Sequence, residues 1–479
     1  MTHPVKSSLA FVTLGCAKNL VDSEAMLGQL TADGFALQAD PRGADVVIVN
    51  TCGFIEAARA ESLGVIREML DLKRAGQVKK VVVAGCLAER KKEMLLEEVP
   101  EVDHLVGVFG REEIAKVCNQ LITHEPAVPV QAAPRSRRLA IPTLAMTPKQ
   151  SAMVEQKTLF RPAPVQALND QGRFRLTPRH FAYLKISEGC DRLCTFCAIP
   201  GMRGKHVSKP IEAIVAEAKE LVADGVRELI IVAQDTTYYG LDLYGRVRLH
   251  ELLRELDQLD GLEWIRILYV YPMYLTDELL QVLSSAQRII PYIDMPLQHI
   301  NDTLLRRMAR RVTRQETEKL LSRLRSAIPG LVMRTTFIVG FPGETEEQFA
   351  ELLAFAETAR FERAGVFTYS LEPGTPAASL PDQVPEATKE DRRHRLMAAQ
   401  QPIAFAWNQA QVGQELEVII DQPDAESPNW WVGRSQADAP DIDGTVRVKG
   451  KNLQSGDLVR TKITSCSGYD LLGKAISVR

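Results

Sequence analysis

The sequence lacks a large net charge of either sign, because 58 Lys and Arg residues nearly balance 61 Asp and Glu residues and leave a formal charge of −3. Proteins that bind nucleic acid through a global electrostatic field carry a large positive charge, and this chain does not. Long apolar runs are also missing: stretches such as Leu229–Ala233 are far shorter than the roughly 20 residues of a membrane-spanning helix. These absences favour a protein of the cytoplasm.

The composition that remains is typical of a globular protein. Hydrophobic residues make up 45% of the chain and charged residues 25%, which excludes a disordered, collagenous or coiled-coil protein. A length of 479 residues is enough for roughly two to four domains. The segment Leu9–Cys16 superficially resembles a lipoprotein cleavage site, but its apolar part is short and a βα pattern follows it. We therefore expect no signal peptide.

The N-terminal part of the chain has an alternating pattern and is followed by a spacer. Between residues 9 and 121, short aliphatic or β-branched runs alternate with helical patterns, which predicts a parallel α/β domain over 1–121. Residues 122–178 hold eight of the 26 prolines, and eight basic residues against three acidic ones, without any periodicity. Such a Pro-rich basic segment predicts a linker, and a partner-binding arm is the alternative.

The βα alternation returns over residues 179–410. Six strands are predicted there, at Phe181–Ser187, Glu228–Ala233, Trp264–Tyr271, Ile289–Met295, Val332–Val339 and Ala364–Tyr369. Six βα units exceed what an open sheet usually needs. We therefore predict a partial TIM-like (β/α)6 barrel, whose chemistry lies at the carboxyl ends of its strands.

Residues 411–479 have a period of two instead. Their predicted strands, at Glu415–Ile420, Gly444–Lys449 and Asp457–Ile463, indicate a small all-β, OB-like module. Within 415–443, eight acidic residues face a single basic residue, Arg434. An RNA-binding surface needs the opposite balance. An acidic face suits a basic protein partner, and a merely solvated acidic surface is the alternative.

Three cysteines follow the first predicted barrel strand in one short loop. Cys190, Cys194 and Cys197 are separated by three and two residues in the segment E-G-C-D-R-L-C-T-F-C. Three thiolates at this spacing can ligate three irons of a [4Fe–4S] cubane and leave the fourth iron open to a small molecule. A zinc knuckle is the alternative, but structural zinc usually takes four protein ligands. We therefore predict an iron–sulfur cluster with one open iron.

Three further cysteines each follow a predicted strand of the N-terminal domain. Cys16, Cys52 and Cys86 are 36 and 34 residues apart, about one βα unit each. Because the carboxyl ends of parallel strands lie along one edge of a sheet, these thiols are expected to converge. They predict a second cluster held by three thiolates, and three unrelated buried cysteines are the alternative.

Other conspicuous residues are predicted to be structural. Cys118 lies in a helical pattern and is expected to pack in the core, whereas Cys466 lies in a turn region and is not expected to bind metal. His299 is expected to be a hydrogen-bonded core histidine. A solvated helix with ion pairs is expected for the arginine run Arg306, Arg307, Arg310, Arg311 and Arg314.

The loop spacing, with Phe196 before its last cysteine, resembles the signature of the radical SAM superfamily. The scattered N-terminal cysteines, the partial barrel and the small C-terminal module, which resembles a TRAM domain, are together similar to the methylthiotransferases of that superfamily. C-A-I-P-G-M-R-G-K-H-V-S-K-P, V-A-Q-D-T-T-Y-Y-G and W-V-G-R-S-Q-A-D-A-P-D-I-D-G resemble the branch that modifies a ribosomal protein, the RimO type. The transfer-RNA branch differs at each segment, and the long Pro-rich spacer departs from the family pattern.

The resemblance implies an enzyme that inserts a methylthio group at the β-carbon of an aspartate of ribosomal protein S-twelve, giving 3-methylthioaspartate. It implies two [4Fe–4S] clusters and two S-adenosylmethionine molecules per turnover, one donating a methyl group and the other yielding a 5′-deoxyadenosyl radical. A reductant such as a flavodoxin is the expected electron donor, and no membrane or direct nucleic-acid substrate is expected. Methylthiolation of a transfer-RNA adenosine is the alternative, and a non-enzymatic iron–sulfur scaffold is a third hypothesis.

The predicted cofactor contacts are Phe196 on the cysteine loop and residues at the barrel strand ends. Gln234 ends the second strand, Gln298 follows the fourth, and Gly340 follows the fifth, where a glycine permits close backbone approach. Arg203, after the cysteine loop, is predicted to meet a carboxylate of the cofactor or of the substrate aspartate. Ordinary loop geometry is the alternative for each, and no acid–base catalytic residue is predicted.

Overall fold

A computed structural model of the chain describes residues 7–123, 154 and 156–479. The chain divides into two compact units. The first comprises Met1–Pro164 with the short segments Gly172–Phe174 and Gly201–Arg203, and the second comprises Val165–Gln171, Arg175–Pro200 and Gly204–Arg479.

The first unit is built on a parallel sheet, as the alternating pattern predicts. Its strands are β1 (Ser8–Thr13), β2 (Ala36–Gln38), β3 (Val46–Thr51), β4 (Lys80–Gly85), β5 (His104–Val106) and β6 (Thr158–Leu159), and its helices include α1 (Ala17–Ala32), α2 (Glu56–Arg74), α3 (Cys86–Lys91), α4 (Met94–Glu98) and α5 (Ile114–Thr123). The order across the sheet is β2-β1-β3-β4-β5-β6. The β-branched strand β3 is buried along its whole length, because a parallel sheet of this class is covered on both faces.

Part of the predicted linker over 122–178 belongs to the folded units, and the remainder, 124–153 and 155, lies outside the described residues. Strand β6 pairs in parallel with β5, and Arg161 binds Glu113 through two N–H···O bonds of 2.5 and 2.7 Å. Asp170 is fully buried in the second unit, where it pairs with Lys209 at 2.5 Å. A two-residue strand is too short to show a period of two, so the sequence pattern did not indicate it.

The second unit contains the six-stranded array that the sequence predicts. The strands are β7 (Phe181–Lys185), β8 (Ser187–Glu188), β9 (Val207–Ser208), β10 (Glu228–Val232), β11 (Trp264–Ile267), β12 (Ile289–Asp294), β13 (Val332–Val339) and β14 (Arg363–Thr368). The main sheet runs β14-β13-β12-β11-β10-β7 with every pair parallel, and β8 and β9 form a short antiparallel pair beside it. Each predicted barrel strand has its counterpart, which confirms the partial barrel.

The short helix α6 (Ile199–Arg203) begins in the second unit and ends in the first, which includes Gly201–Arg203. The helices of the second unit that follow it are α7 (Ile211–Ala223), α8 (Leu241–Tyr244), α9 (Leu249–Asp257), α10 (Asp277–Ser285), α11 (Asp302–Arg307), α12 (Arg314–Ala327), α13 (Glu346–Ala359) and α14 (Glu386–Gln411). Helices α12 and α13 each begin with a capping box, formed by Thr313 with Glu316 and by Thr345 with Gln348. Each box satisfies backbone N–H groups that the first helical turn leaves unpaired.

The C-terminal module of the second unit is a closed five-stranded barrel. Its strands are β15 (Glu415–Pro423), β16 (Trp430–Ser435), β17 (Val446–Lys449), β18 (Leu458–Ser467) and β19 (Asp470–Val478). They close in the order β15-β16-β17-β19-β18, which confirms the predicted small all-β fold. The sequence pattern missed β16 and β19, because adjacent apolar pairs such as Trp430–Trp431 and Leu471–Leu472 break the alternation on which a strand prediction depends.

Most carboxylates of the acidic stretch 415–443 form ion pairs with arginines. The pairs are Asp421–Arg434, Asp424–Arg447, Asp438–Arg363 and Asp443–Arg334. Arg363 and Arg334 lie on the barrel strands β14 and β13, and Arg434 also binds Glu228 of β10 at 2.6 Å. Glu415 and Glu417 also pair, with Arg460 and Arg479. The interpretation of the charge count was therefore wrong: six of the eight carboxylates are paired within the second unit instead of forming a free acidic face. Among the helices of the described part of the chain, none is both long and apolar enough to cross a bilayer.

Candidate metal centres and cofactor site

Cys16, Cys52 and Cys86 lie at the carboxyl ends of neighbouring strands of the first unit. Cys16 follows β1 and precedes α1, Cys52 follows β3, and Cys86 follows β4 as the first residue of α3. Two glycines let these strand ends touch. A Cβ on Gly15 would lie 2.7 Å from Cys52 Cβ, and one on Gly53 would lie 2.8 Å from the Cys86 carbonyl oxygen. The structure thus brings the three cysteines together at one edge of the sheet.

The environment of this trio disfavours thiolates at Cys52 and Cys86 but not at Cys16, whose pKa is lowered because the cations Lys18 and Arg203 outweigh its burial. Burial raises the pKa of Cys52, and the Cys16 thiolate raises it further. Burial raises the pKa of Cys86 to about 12, although the Arg203 guanidinium acts in the opposite direction. A metal ligand must lose its proton, so a group that binds here has to supply positive charge to several thiols at once.

Arg203 belongs to the first unit. Its guanidinium is buried, with Nε donating to Cys86 Sγ at 3.3 Å and Nη2 to Asp22 Oδ2 at 2.8 Å. Asp22 in turn accepts from Arg111 at 2.5 Å. The contact of Arg203 with a cofactor or substrate carboxylate stays a prediction, since the carboxylate beside it in this structure is that of Asp22.

Cys190, Cys194 and Cys197 lie together on the loop after β8 in the second unit. The Cys190 N–H donates to the Gly204 carbonyl and the Cys197 N–H donates to the Cys194 carbonyl, each at 3.1 Å, which folds the loop compactly. None of the three forms a disulfide, and all are partly exposed. Burial raises the pKa of Cys190 to about 12, and the neighbouring Cys194 and Cys197 thiolates add to this rise. Three reduced thiols on one compact, accessible loop fit a cluster with one side open to solvent.

Each trio offers three thiols as possible metal ligands. Within the described residues, no group of three or more His, Cys, Asp or Glu side chains is arranged to hold one ion. Structural zinc usually takes four protein ligands, one more than either trio supplies. A cubane with one open iron takes three cysteine ligands. The number of thiols in each trio therefore fits such a cluster.

Gln234 and Gln298 present unpartnered acceptors at the barrel strand ends. Gln234 follows β10 and donates through Nε2 to Glu188 Oε1 at 3.1 Å, while its own Oε1 is buried without a partner. Gln298 follows β12 with φ at +73°, and its Oε1 is also buried without a partner. A non-glycine residue held at positive φ often marks a functional site. Two orphaned acceptors fit the ammonium, amino and hydroxyl donors of S-adenosylmethionine.

Gly340 and Phe196 have local packing roles in this structure. Gly340 has φ at +73°, and a Cβ there would lie 2.2 Å from Cγ of Lys389, so its close approach is to the α14 side chain. Phe196 packs against the apolar cluster that contains Leu304, Met308 and Phe341, which anchors the cysteine loop. Direct contact of either residue with a cofactor stays a prediction.

His299 is a hydrogen-bonded core histidine, as expected. Its Nδ1 accepts from the Asn301 N–H at 3.0 Å, which leaves the proton on Nε2 to be donated to Glu344 at 3.1 Å. Arg392 completes this buried group by donating to Glu344 at 3.0 Å. Cys118 is also fully buried in the first unit, which confirms its packing role, and Cys466 lies at the end of β18 with Sγ 3.3 Å from Gln409.

Two arginines and a tyrosine beside the cysteine loop were not predicted from the sequence as site residues. Arg192 lies inside the loop, and Arg310 is buried, with their guanidinium carbons 4.2 and 4.1 Å from the Tyr271 ring centroid. The prediction of one solvated arginine helix is wrong, because α11 ends at Arg307 and Ala309 follows with φ at +56°. An arginine between two cluster cysteines was the signal that could have identified this group.

Family models match all three parts of the chain. Residues 184–356 match the radical SAM superfamily, residues 8–107 match "Uncharacterized protein family UPF0004", and residues 412–476 match the TRAM domain. These matches coincide with the partial barrel, the first sheet and the closed C-terminal barrel. They agree with the three-part organisation that the resemblance implies.

Several curated relatives match nearly the full length. The chain is 45% identical over 98% of its length to "Ribosomal protein uS12 methylthiotransferase RimO" of Desulforamulus reducens, covering 99% of that protein. It is 44% identical to the protein of that name from Anaeromyxobacter sp. (strain K), over 97% of this chain and 92% of the relative. The Geobacter sulfurreducens protein of the same name is 43% identical over 98% of this chain and 99% of the relative.

Solved structures support the fold. The chain resembles the radical S-adenosylmethionine methyltransferase TsrM from Kitasatospora setae, solved with tryptophan substrate and a SAM analogue, with a TM-score of 0.53 and 15% identity over 94% of this chain and 82% of TsrM. At that identity the likeness concerns the fold alone. The superfamily implies a [4Fe–4S] cluster and S-adenosylmethionine, which the reduced loop thiols and the unpartnered glutamine oxygens can accommodate. This chain belongs to the RimO family of radical SAM methylthiotransferases.

Proposed function

We propose that this enzyme inserts a methylthio group at the β-carbon of an aspartate in ribosomal protein uS12 (S-twelve) and forms 3-methylthioaspartate. The support for the target is the name shared by relatives that are 41–45% identical over nearly the whole chain. The support for sulfur insertion is the convergence of Cys16, Cys52 and Cys86 at the edge of the first sheet. Besides the cluster that forms the radical, this reaction needs a second cluster, and therefore a second set of thiol ligands.

The substrate position explains why the chain needs cofactors. A methylene hydrogen beside a carboxylate side chain is not acidic enough for removal by a histidine or carboxylate near neutral pH, so general-base catalysis is insufficient. When bound, the loop cluster and S-adenosylmethionine supply a carbon radical, and the second cluster and a second S-adenosylmethionine supply the methylthio group. The residues of this chain bind and orient these groups and the substrate.

Each residue set has a distinct proposed role. Cys190, Cys194 and Cys197 hold one [4Fe–4S] cluster, and Cys16, Cys52 and Cys86 hold the other. Gln234 and Gln298 hold S-adenosylmethionine through their free amide oxygens, and Glu188 fixes the Gln234 amide by accepting its Nε2–H at 3.1 Å. Phe196 keeps the loop in place by packing on the apolar cluster beneath it.

The reaction also needs an electron donor and a reducing compartment. A flavodoxin is the proposed reductant of the loop cluster. The proposed location is the cytoplasm, because thiols stay reduced there and the ribosomal substrate is assembled there. None of the eight described cysteines forms a disulfide, which is compatible with such a compartment.

Mass spectrometry of the products tests this function. Anaerobically reconstituted enzyme is incubated with uS12, S-adenosylmethionine, sulfide and reductant, and uS12 is expected to gain one CH2S unit on an aspartate. The Cys52→Ser variant should still form 5′-deoxyadenosine but no methylthiolated protein. Cys466→Ser, which changes a cysteine outside both trios, should keep full activity. A gain on a transfer-RNA adenosine with unmodified uS12 would establish the alternative substrate.

A further inference from the structure

Two guanidiniums, that of Arg310 buried and that of Arg192 largely buried, lie beside the cysteine loop and have no role in the function proposed above. Arg192 lies between Cys190 and Cys194, and Nη1 of Arg310 is 3.8 Å from Cys194 Sγ. Both guanidiniums lie over the ring of Tyr271, at 4.2 and 4.1 Å from its centroid. One aromatic ring therefore holds both cations next to the loop by cation–π contact.

Each arginine keeps one buried N–H without an acceptor. Arg192 donates through Nε to Asp235 at 2.7 Å and through Nη1 to the weak acceptor Met273 Sδ at 3.7 Å, while its Nη2 is unpartnered. Arg310 donates through Nη2 to the Pro296 carbonyl at 2.5 Å, while its Nε is unpartnered. Buried donors without partners are rare in folded proteins, and a pair of them at one place indicates a missing acceptor.

The carboxylates of the described residues do not balance the two guanidiniums. Asp235 is the carboxylate that Arg192 pairs with, and its other oxygen is already bonded to the backbone N–H groups of Thr237 and Tyr238. Within the described part of the chain, no carboxylate lies within ion-pair distance of Arg310, whose side chain is 6% exposed. Burying a charge without a counterion is costly, so an anionic ligand would stabilise this arrangement.

The backbone around Tyr271 is held in an unusual conformation. Tyr269 and Tyr274 have φ at +59° and +67°, values that side-chain-bearing residues rarely adopt. Tyr274 and Tyr238 also contact the Arg192 guanidinium, each at 5.2 Å from its carbon to the ring centroid. Strain of this kind persists where surrounding structure fixes a functional group, here the position of two guanidiniums.

We propose that Arg192 and Arg310 bind the side-chain carboxylate of the substrate aspartate. This inference rests on the proposed function and names the group by which that site recognises its substrate. Guanidinium N–H groups suit the two oxygens of a carboxylate in particular. The orphaned groups of Gln234 and Gln298 are acceptors and suit the donors of S-adenosylmethionine, so the site separates the two ligands by hydrogen-bond polarity.

The chemistry of the substrate gives this position a purpose. The β-carbon of aspartate is bonded directly to its carboxylate carbon. A carboxylate held by Arg192 and Arg310 therefore places the β-carbon next to the loop that carries Cys190 and Cys194. The two arginines bind and orient the substrate, and asparagine at the same position would offer them one neutral carbonyl oxygen in place of two anionic oxygens.

Peptide binding measures this recognition separately from turnover. The probe is a fluorescent peptide with the modified loop sequence of uS12, in its aspartate form and in a form with asparagine at that position, bound to anaerobic holoenzyme and followed by anisotropy. The wild-type enzyme is expected to bind the aspartate peptide on the order of ten- to a hundredfold more tightly, as for hydrogen bonds to charged groups. Arg310→Gln and Arg192→Gln should remove this preference without weakening the asparagine peptide.

The controls separate charge recognition from damage to the cluster. Arg311→Gln removes the same charge from the exposed neighbouring position and should keep the preference. Arg310→Lys and Arg192→Lys keep the charge but lose the planar fork, so an intermediate preference is expected. Iron content and cluster absorption are measured for every variant, and the Lys variants decide the question if a Gln variant loses its cluster.

Two results would overturn the assignment. One is equal binding of the aspartate and asparagine peptides by the wild-type enzyme. The other is variants that keep the aspartate preference but bind S-adenosylmethionine more weakly, which would assign the arginines to the carboxylate of that cofactor. If the wild-type enzyme methylthiolates the aspartate peptide but binds the aspartate and asparagine peptides equally tightly, only this inference is contradicted. If the wild-type enzyme never modifies uS12, the proposed function is contradicted.

Discussion

The two cysteine trios are built in opposite ways. Cys190, Cys194 and Cys197 lie on one loop whose compact shape comes from bonds between near neighbours, such as the Cys197 N–H to the Cys194 carbonyl. Cys16, Cys52 and Cys86 come from three strands, and only the parallel register of β1, β3 and β4 brings them together. The first set is a local structure, and the second depends on the fold of a whole sheet.

This difference identifies where each site is vulnerable. The loop set depends on its ligands and on the residues that hold the loop. The strand-end set depends on glycines, because Gly15 and Gly85 turn the chain at φ of +89° and +90° immediately before Cys16 and Cys86. Side chains other than glycine are strained in that region of backbone conformation.

The largest effect is expected from a change in the loop. Cys194→Ser should abolish both 5′-deoxyadenosine formation and methylthiolation, because all radical chemistry depends on the loop cluster. The first unit should be unaffected, so iron content should fall from about eight atoms per chain to about four, the content of one cubane. Iron analysis together with a 5′-deoxyadenosine assay checks this. Complete loss of iron would mean that the two trios are not independent.

A glycine substitution should break the strand-end set alone. A Cβ at Gly15 would lie 2.7 Å from Cys52 Cβ, so Gly15→Ala is expected to displace Cys52 and lower iron content by about half. The variant should still cleave S-adenosylmethionine but form no methylthiolated protein, and the same two assays with mass spectrometry measure this.

Gly76 provides the matched control for Gly15. It lies in the same unit with φ at +72°, but a Cβ there would meet open space. Gly76→Ala carries a similar conformational cost, roughly 1 kcal/mol, without a steric conflict at the trio. It should keep its iron and its activity. Equal iron loss in both variants would show that general destabilisation, and not contact with Cys52, explains the Gly15 effect.

The same contrast explains what the sequence could predict. Period and spacing are local properties, so the parallel strands, the six-unit barrel and both cysteine trios were predictable from the printed residues. Tertiary partners are not local. Arg192, Tyr271 and Arg310 come from three separate loops, and no spacing rule joins them.

Charge counts failed for the same reason. The acidic stretch 415–443 reads as a free surface because the sequence does not reveal that Asp438 and Asp443 bind Arg363 and Arg334 of the barrel strands. The arginine run suggests a single helix. The sequence does not reveal the left-handed backbone at Ala309, after the end of α11, or the burial of Met308 and Arg310 on either side of it. The sequence pattern predicts helices and strands, but tertiary packing determines which side chains contact one another.

A smaller, structural effect is expected from the buried ion pairs of the second unit. Asp170 comes from the predicted linker and is fully buried between Lys209 at 2.5 Å and Lys185 at 3.8 Å. Asp170→Asn leaves buried lysines with less compensation, which is expected to destabilise the second unit by about 3 kcal/mol. Thermal or denaturant unfolding measures it.

Glu318 is the control for this change. It pairs with Arg314 on the surface of α12, with the two side chains 48% and 41% exposed. Glu318→Gln should therefore cost less than about 0.5 kcal/mol. Similar losses in the two variants would mean that Asp170 does not anchor the linker segment to the barrel.

The smallest effect concerns the acid sensitivity of the first unit. His104 on β5 is buried, burial lowers its pKa to about 4, and its Nε2 has no hydrogen-bond partner. Its ordinary pKa is near 6.5, so between pH 6.5 and 4 the unfolded chain binds a proton that the folded chain does not. The free energy of unfolding is therefore not reduced by His104 above pH 6.5. It falls as the pH drops below 6.5, by at most about 3 kcal/mol.

Denaturant midpoints at pH 7 and pH 5 measure this sensitivity. His104→Gln keeps a polar side chain but removes the titration, so the midpoint should change less with pH than in the wild-type enzyme. His394→Gln alters a histidine that is exposed on α14 and should leave the wild-type dependence unchanged. Strand β5 pairs with β4, which directly precedes Cys86, so the strand-end set should lose its iron during the acid transition. The loop set does not depend on this sheet and should keep its iron at the same pH. Simultaneous loss from both trios would contradict the separation of a fold-dependent site from a local one.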